Sequence, residues 1–259
     1  MDSLVDMKIK FLGTGTSTGV PEIGCKCEVC TSHDIRDRRL RASVLVSIGG
    51  KRILIDCGPD FRQQMLPEEF GKIDAVLLTH EHYDHVGGID DLRPFCRFGD
   101  IDIFANVQTA TALRRRIEYC FSLNHYPGVP QLNLHAIESS DKQFDIGGIS
   151  VLPINVMHYR LSIFGYRIGK FAYLTDVKYI PEEELSKLEG LDVLVISALR
   201  EKEHISHQTI SEALRYIERI APQKAYLIHM NHQFGLHAVT QSQLPDNVIV
   251  AYDGLEIEI

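Results

Sequence analysis

The chain has 259 residues, 44% of them hydrophobic, enough to bury a sizeable core without disulfide staples. Lys and Arg number 27 against 35 Asp and Glu, a net charge of −8, so general attraction to nucleic acid or an anionic membrane is not expected and any anionic substrate must be drawn locally. Met1 to Lys10 lacks a basic-then-apolar leader pattern, and no apolar run approaches the roughly 18–20 residues of a membrane span, so the expected location is cytoplasmic.

Ile9 to Leu12 reads as a strand that breaks into the loop Gly13-Thr-Gly-Thr-Ser-Thr-Gly19. This is not a dinucleotide fingerprint, because the glycine spacing is wrong and no clear helix follows. Ser43 to Ile48 and Arg52 to Ile55 flank Gly49-Gly50, a pair suited to the positive φ angles of a tight turn, and predict a β-hairpin ending at Asp56. Asp74 to Thr79 is a short buried strand that delivers His80 to the following loop. Further strands are expected at Ile101 to Ala105, Ile149 to Val156, Phe171 to Thr175, Val193 to Ser197, Ala225 to Ile228, Val248 to Ala251 and Leu255 to Ile259. Helices are expected at Thr109 to Cys120 and Pro181 to Leu188, and Ile210, Ala213, Leu214, Ile217 and Ile220 mark the stripe of a third, with Thr209 and Glu212 as its capping box. No repeat or long linker interrupts the chain, which predicts a single domain over 1–259. Two runs of strands with interspersed helices suggest an α/β sandwich, two facing sheets with helices outside.

His80-x-His82-x-Asp84-His85 puts three imidazoles and a carboxylate within six residues, after a strand and before the turn-prone Gly87-Gly88. A loop bunched that tightly can aim its side chains at one point, and imidazole nitrogen with carboxylate oxygen suits zinc and other divalent first-row metals. The sequence here resembles the metallo-β-lactamase superfamily, over nearly the whole chain. That resemblance implies a four-layer αββα sandwich. It implies that His80, His82 and a later His hold one metal, that Asp84, His85 and a last His hold a second, and that an Asp bridges the two. His158, Asp176 and His229, each at the end of an expected strand, fall in the order this requires. Asp56 looks like the family carboxylate that orients a metal ligand from behind.

Cys25-x-Cys27-x2-Cys30 supplies three thiolates, one short of the closed set of a structural zinc. His232, three residues beyond His229, is the expected fourth ligand. Cys57, Cys96 and Cys120 are expected as buried thiols. Together with the Gly-Thr-Gly-Thr loop, His229-Met-Asn-His232-Gln-Phe and the closing Tyr252-Asp-Gly-Leu-Glu-Ile-Glu-Ile, this set is similar to the PhnP-type cyclic phosphodiesterase branch of the superfamily. That likeness implies two zinc or manganese ions in the active site, one structural zinc, and hydrolysis of a small, even cyclic, phosphodiester. Two metals can share a water and lower its pKa to near neutrality, giving a bridging hydroxide. Asp84 is both a ligand and a candidate proton acceptor. The branch also carries a His shortly before the helix that precedes the last ligand strand. His207 is preferred to His204 for this catalytic role because it lies nearer that helix, leaving His204 as a candidate substrate contact and Arg200 as either a phosphate contact or a surface ion-pair partner. The rivals are a tRNA 3′-end processing nuclease, against which the net charge and the want of a basic arm count, and a non-catalytic protein of the PqqB type. A small-molecule substrate is the expected partner, with no nucleic acid and no membrane, and the chain could pair as a homodimer.

Overall fold

The computed structural model describes residues 6–122 and 128–259, so the first five residues of the Met1 to Lys10 reading lie outside the described residues. A first sheet contains β1 (Met7–Gly13), β2 (Ser43–Ile48), β3 (Lys51–Ile55), β4 (Ala75–Leu77), β5 (Ile101–Asn106) and β6 (Leu132–Ile137), side by side in chain order. A second contains β7 (Phe144–Ile146), β8 (Ile149–His158), β9 (Leu161–Ile168), β10 (Phe171–Leu174), β11 (Val193–Ser197), β12 (Lys224–Ile228) and β13 (Val248–Val250). The chain then returns to the first sheet, where β14 (Glu256–Glu258) pairs antiparallel with β1. The α-helices are α1 (Phe61–Met65), α2 (Tyr83–Val86), α3 (Val107–Arg116), α4 (Glu182–Leu185), α5 (Ile210–Ile220) and α6 (His237–Gln241).

The alternation of side chains along each strand builds the layers. Ile9, Phe11, Val44 and Ile53 of the first sheet meet Val151, Tyr166, Phe171 and Val195 of the second in a shared inner core. The opposite faces are apolar too. Leu54, Val76 and Ile103 pack under Phe61 of α1 and Leu113 of α3, while Leu174, Leu194 and Ile196 pack under Ile210, Ala213 and Ile217 of α5. Strands covered on both sides read as continuous apolar runs, as Val193 to Ile196 does. Each large side chain so buried contributes roughly 1.5–3 kcal/mol. The result is the expected four-layer αββα sandwich.

α5 starts at the expected capping box, in which Glu212 N donates to Thr209 Oγ1 (3.1 Å) and Thr209 N to Glu212 Oε2 (2.7 Å). Two expected helices need correction. The one placed at Thr109 to Cys120 begins at Val107, capped by Asn106 Oδ1 accepting from Thr109 N, and turns into a separate 3-10 turn at Glu118–Cys120. The one placed at Pro181 to Leu188 is a single α-turn, Glu182–Leu185, followed by a 3-10 turn. Cys57 and Cys120 are buried as expected, but Cys96 is only half-buried. Among the described residues, no helix is long and apolar enough to cross a membrane.

Strand direction positions the site. β3, β4 and β5 are parallel, as are β10, β11 and β12, and β8 runs with β10 because each is antiparallel to β9. The carboxyl ends of β3, β4, β8, β10 and β12 carry Asp56, His80, His158, Asp176 and His229, the edge at which open α/β sheets place ligands. The two sheets are stitched together there, with Tyr166 Oη donating to the Leu78 carbonyl (2.6 Å) and Phe164 N to the Thr79 carbonyl (3.0 Å).

Candidate metal centre

The loop after β4 is braced from several sides. Asp56 is fully buried at φ 61°; its Oδ1 accepts from Thr79 N (2.9 Å) and its Oδ2 from His85 Nδ1 (2.7 Å). Thr79 Oγ1 lies 3.0 Å from both Asp56 oxygens and 3.0 Å from His80 Nδ1. The hydroxyl has one proton, which goes to the carboxylate, so it accepts from His80 Nδ1–H and leaves His80 Nε2 unprotonated, 3.0 Å from His82 Nδ1. Asp56 therefore orients His85 directly and His80 through Thr79. Gly58 allows this close packing, since a β-carbon there would overlap the Asp84 carbonyl oxygen.

Three sets of potential ligand atoms converge here, the atoms of each within 4.8 Å of one another: His80 with His82 and His158; Asp84 with His85, Asp176 and His229; and His158 with Asp176 and His207. Asp176 and His158 are each shared between sets. His158 Nδ1 donates to the Ser206 carbonyl (2.9 Å), which aims its Nε2 inward. His85 Nε2 lies 3.1 Å from Asp84 Oδ2 and from Asp176 Oδ2, and His229 Nε2 lies 3.1 Å from Asp176 Oδ2. Yet both nitrogens are buried without an aligned hydrogen bond. Buried polar atoms are rarely left so unless something else satisfies them, and nitrogen lone pairs facing carboxylates around common points are what divalent ions require. The residues fit two such ions.

The electrostatics carry the same message. Burial opposes charge on His85, but the carboxylates of Asp84, Asp56 and Asp176 outweigh it and hold the ring's pKa well above its ordinary value. Burial likewise opposes charge on Asp176, and His229 and His85 outweigh it, keeping that carboxyl well below its usual range. The carboxylates thus favour positive charge at the Asp84, His85, Asp176 and His229 cluster, whereas burial pushes His80 and His82 down and keeps those rings neutral. Backbone strain accompanies this arrangement, for Asp56, Asp176 and His229 sit at φ 61°, 54° and 58°, left-handed conformations that cost of order 1–3 kcal/mol each and cluster at functional sites.

His207 lies on the segment between β11 and α5, its ring 4.6 Å from that of His158 and its Nδ1 3.7 Å from Asp176 Oδ1. Burial pushes its pKa down to about 3, against the pull of Asp176. His204 is half-buried, 5.0 Å from the His207 ring. Arg200 is engaged elsewhere, donating to Gln233 Oε1 (2.6 Å) and to the carbonyls of Lys202 and Glu203 (each 3.2 Å), which braces the segment carrying both histidines.

The second cluster joins Cys25, Cys27, Cys30 and His232, with His232 Nδ1 lying 3.0, 3.5 and 3.6 Å from the three sulfurs. A backbone hydrogen bond from Cys30 is the main cause holding the Cys27 thiol down at about 7, while burial pushes Cys30 up to about 11. Glu22 Oε2 lies 3.3 Å from His232 Nε2, a carboxylate behind the ring that spacing alone does not reveal. The Gly13–Gly19 loop serves this region by packing: Met230 N donates to the Thr14 carbonyl (3.1 Å) and Thr16 N to the Met230 carbonyl (3.0 Å), fixing the segment between His229 and His232. Thr79, Ser206 and Glu22 are the contributors that the sequence reading omits, because each acts through a contact made only in three dimensions.

A family model described as the Beta-lactamase superfamily domain matches residues 51–230. The chain is 47% identical over 252 residues to an octanoyltransferase of Porphyromonas gingivalis, covering 96% of this chain and 51% of that protein, so it spans about half the length of that relative. It is 36% identical over 221 residues to coenzyme PQQ synthesis protein B of Methylorubrum extorquens, covering 73% of this chain and 72% of the other. A crystal structure described as a new diphosphatase from the PhnP family superposes with a TM-score of 0.91 at 39% identity, covering 98% of this chain and 97% of that one. With the matched segment running from β3 to just past His229 and enclosing the whole histidine–aspartate centre, the chain belongs to the metallo-β-lactamase superfamily and is PhnP-like within it.

Proposed function

We propose that this chain is a metal-dependent phosphodiesterase acting on a small phosphodiester, with two divalent ions in the histidine–aspartate centre and a structural zinc in the Cys25, Cys27, Cys30 and His232 cluster. The observation that carries the reading is Asp176, a buried carboxylate shared by two ligand sets whose neighbouring ring nitrogens lack hydrogen bonds. The PhnP-family diphosphatase supports it, since cleaving a diphosphate is also displacement at phosphorus. The octanoyltransferase name belongs to a protein about twice as long, and we assign acyl transfer to the half that this chain does not match.

When bound, the two ions supply Lewis-acid stabilisation of phosphoryl oxygens and lower the pKa of a water. The chain's own groups do the rest. Asp56 and Thr79 hold His85 and His80 in single tautomers, so the site is organised before substrate arrives. Asp84, buried beside His85 and His229, is held well below the usual carboxylate range and so stays ionised, placed to accept a hydrogen bond that orients the attacking water. His207 enters as neutral imidazole because it is buried, and the negative charge of an arriving phosphate then favours its protonation. From there it can pass a proton to the leaving oxygen.

The test is a substrate panel offered to the metal-loaded protein: bis(p-nitrophenyl) phosphate, a nucleoside 2′,3′-cyclic phosphate, a phosphomonoester, an acyl thioester and a β-lactam. Turnover confined to the two diesters is expected. Turnover of the thioester or lactam with both diesters untouched would refute the reading.

A further inference from the structure

One backbone outlier at the metal centre is not explained by ligand geometry. Tyr159 follows His158 in the two-residue turn between β8 and β9, where His158 pairs with Leu161, and its φ is 56°. Hairpin turns give that conformation to glycine, asparagine or aspartate, and a bulky aromatic there is uncommon. Burial does not compensate, because Tyr159 is 48% exposed. The Arg160 guanidinium lies over the ring, 5.1 Å from its centroid, and among the described residues no carboxylate pairs with it. A strained turn thus presents an aromatic ring and a cation to solvent one residue from a candidate ligand. Two other exposed apolar side chains flank site histidines in the same way: Tyr83 follows His82, and Ile205 lies between His204 and His207.

We propose that Tyr159 and Arg160 form a nucleoside-phosphate subsite at the mouth of the metal centre, so that the substrate is a phosphodiester or diphosphate carrying a nucleobase. This rests on the phosphodiesterase reading above. The base stacks on Tyr159, and Arg160 holds a phosphate oxygen that is not attacked. Stacking on an exposed aromatic ring is the general way of holding a base without reading its edges, and the planar guanidinium fork matches a phosphate. With a net charge of −8 the chain cannot rely on its overall field to draw an anion, so a local cation at the mouth answers a need.

The experiment is calorimetric titration of AMP and of ribose 5-phosphate into the metal-loaded protein. Wild type is expected to bind AMP about tenfold more tightly, a ratio that reports the base alone. Tyr159→Phe should keep that ratio. Tyr159→Gly should abolish it without lowering the melting temperature, since glycine is at ease at this φ. Arg160→Ala should weaken both ligands by a similar factor. Equal affinities in wild type, or a tenfold ratio that survives in Tyr159→Gly, would overturn the proposal. Because binding is read without turnover, an AMP preference in a protein that hydrolyses no diester would sink the phosphodiesterase reading and leave the subsite standing.

Discussion

Asp176→Asn is expected to lower kcat/KM on a phosphodiester by at least ~10³-fold, even with metal in excess. Removing a single preorganised charge-stabilising group commonly costs about 10²–10³-fold, and this carboxylate faces His85 and His229 through one oxygen and His207 through the other. Asparagine preserves its shape but removes the negative charge that two ligand sets share. The variant should also bind less metal, measured by elemental analysis after dialysis against the wild-type concentration. Asp56→Asn makes the useful contrast, because a group that acts only by orienting ligands typically costs about 10–100-fold. Near-normal turnover and metal content in Asp176→Asn would mean that the carboxylate is no bridge.

His207→Ala should leave the metal content unchanged and cut kcat by roughly 10²–10⁴-fold, the range for a positioned general acid. Removing this ring leaves the His80, His82 and His158 set and the Asp84, His85, Asp176 and His229 set intact. The loss should be large for an alkoxide leaving group and small for p-nitrophenolate, which needs little protonation. Equal losses on the two substrates would show that His207 binds phosphate instead of delivering a proton. A variant that sheds metal would make it a ligand, and an inactive His204→Ala beside an active His207→Ala would transfer the role to the neighbouring ring.

Where the fold announces itself in sequence, it does so through burial on two faces. Val193 to Ile196 is a continuous apolar run because inner core and α5 cover its two faces, and the structure gives the strand its expected ends, Val193–Ser197. β9 goes unread for a local reason. Gly165 interrupts its pattern, and the interruption is required, since a β-carbon there would overlap the Leu174 side chain packed against it. β6 lies at a sheet edge with only Leu132, Leu134 and Ile137 packed, so no regular alternation appears, β7 has three residues, and α2 has four, too few to establish any period. The ligand candidates were legible for the opposite reason. His80, His82, Asp84 and His85 are polar residues crowded beside a core strand, a placement that costs stability unless a metal compensates. Tyr159 is invisible to such reading because an exposed tyrosine carries no signal until its φ is known.

The most direct measurement is metal content per chain by elemental analysis, taken together with phosphodiester turnover before and after brief chelation. Three metals are expected, of which chelation removes two along with all turnover, since hydrolytic sites keep open positions while thiolate sites are closed. Turnover should return on adding zinc or manganese. Cys27→Ala should retain the two exchangeable metals, lack the third and melt at a lower temperature, because structural metal binding is linked to folding. Wild-type protein that remains fully active after exhaustive metal removal would contradict the account.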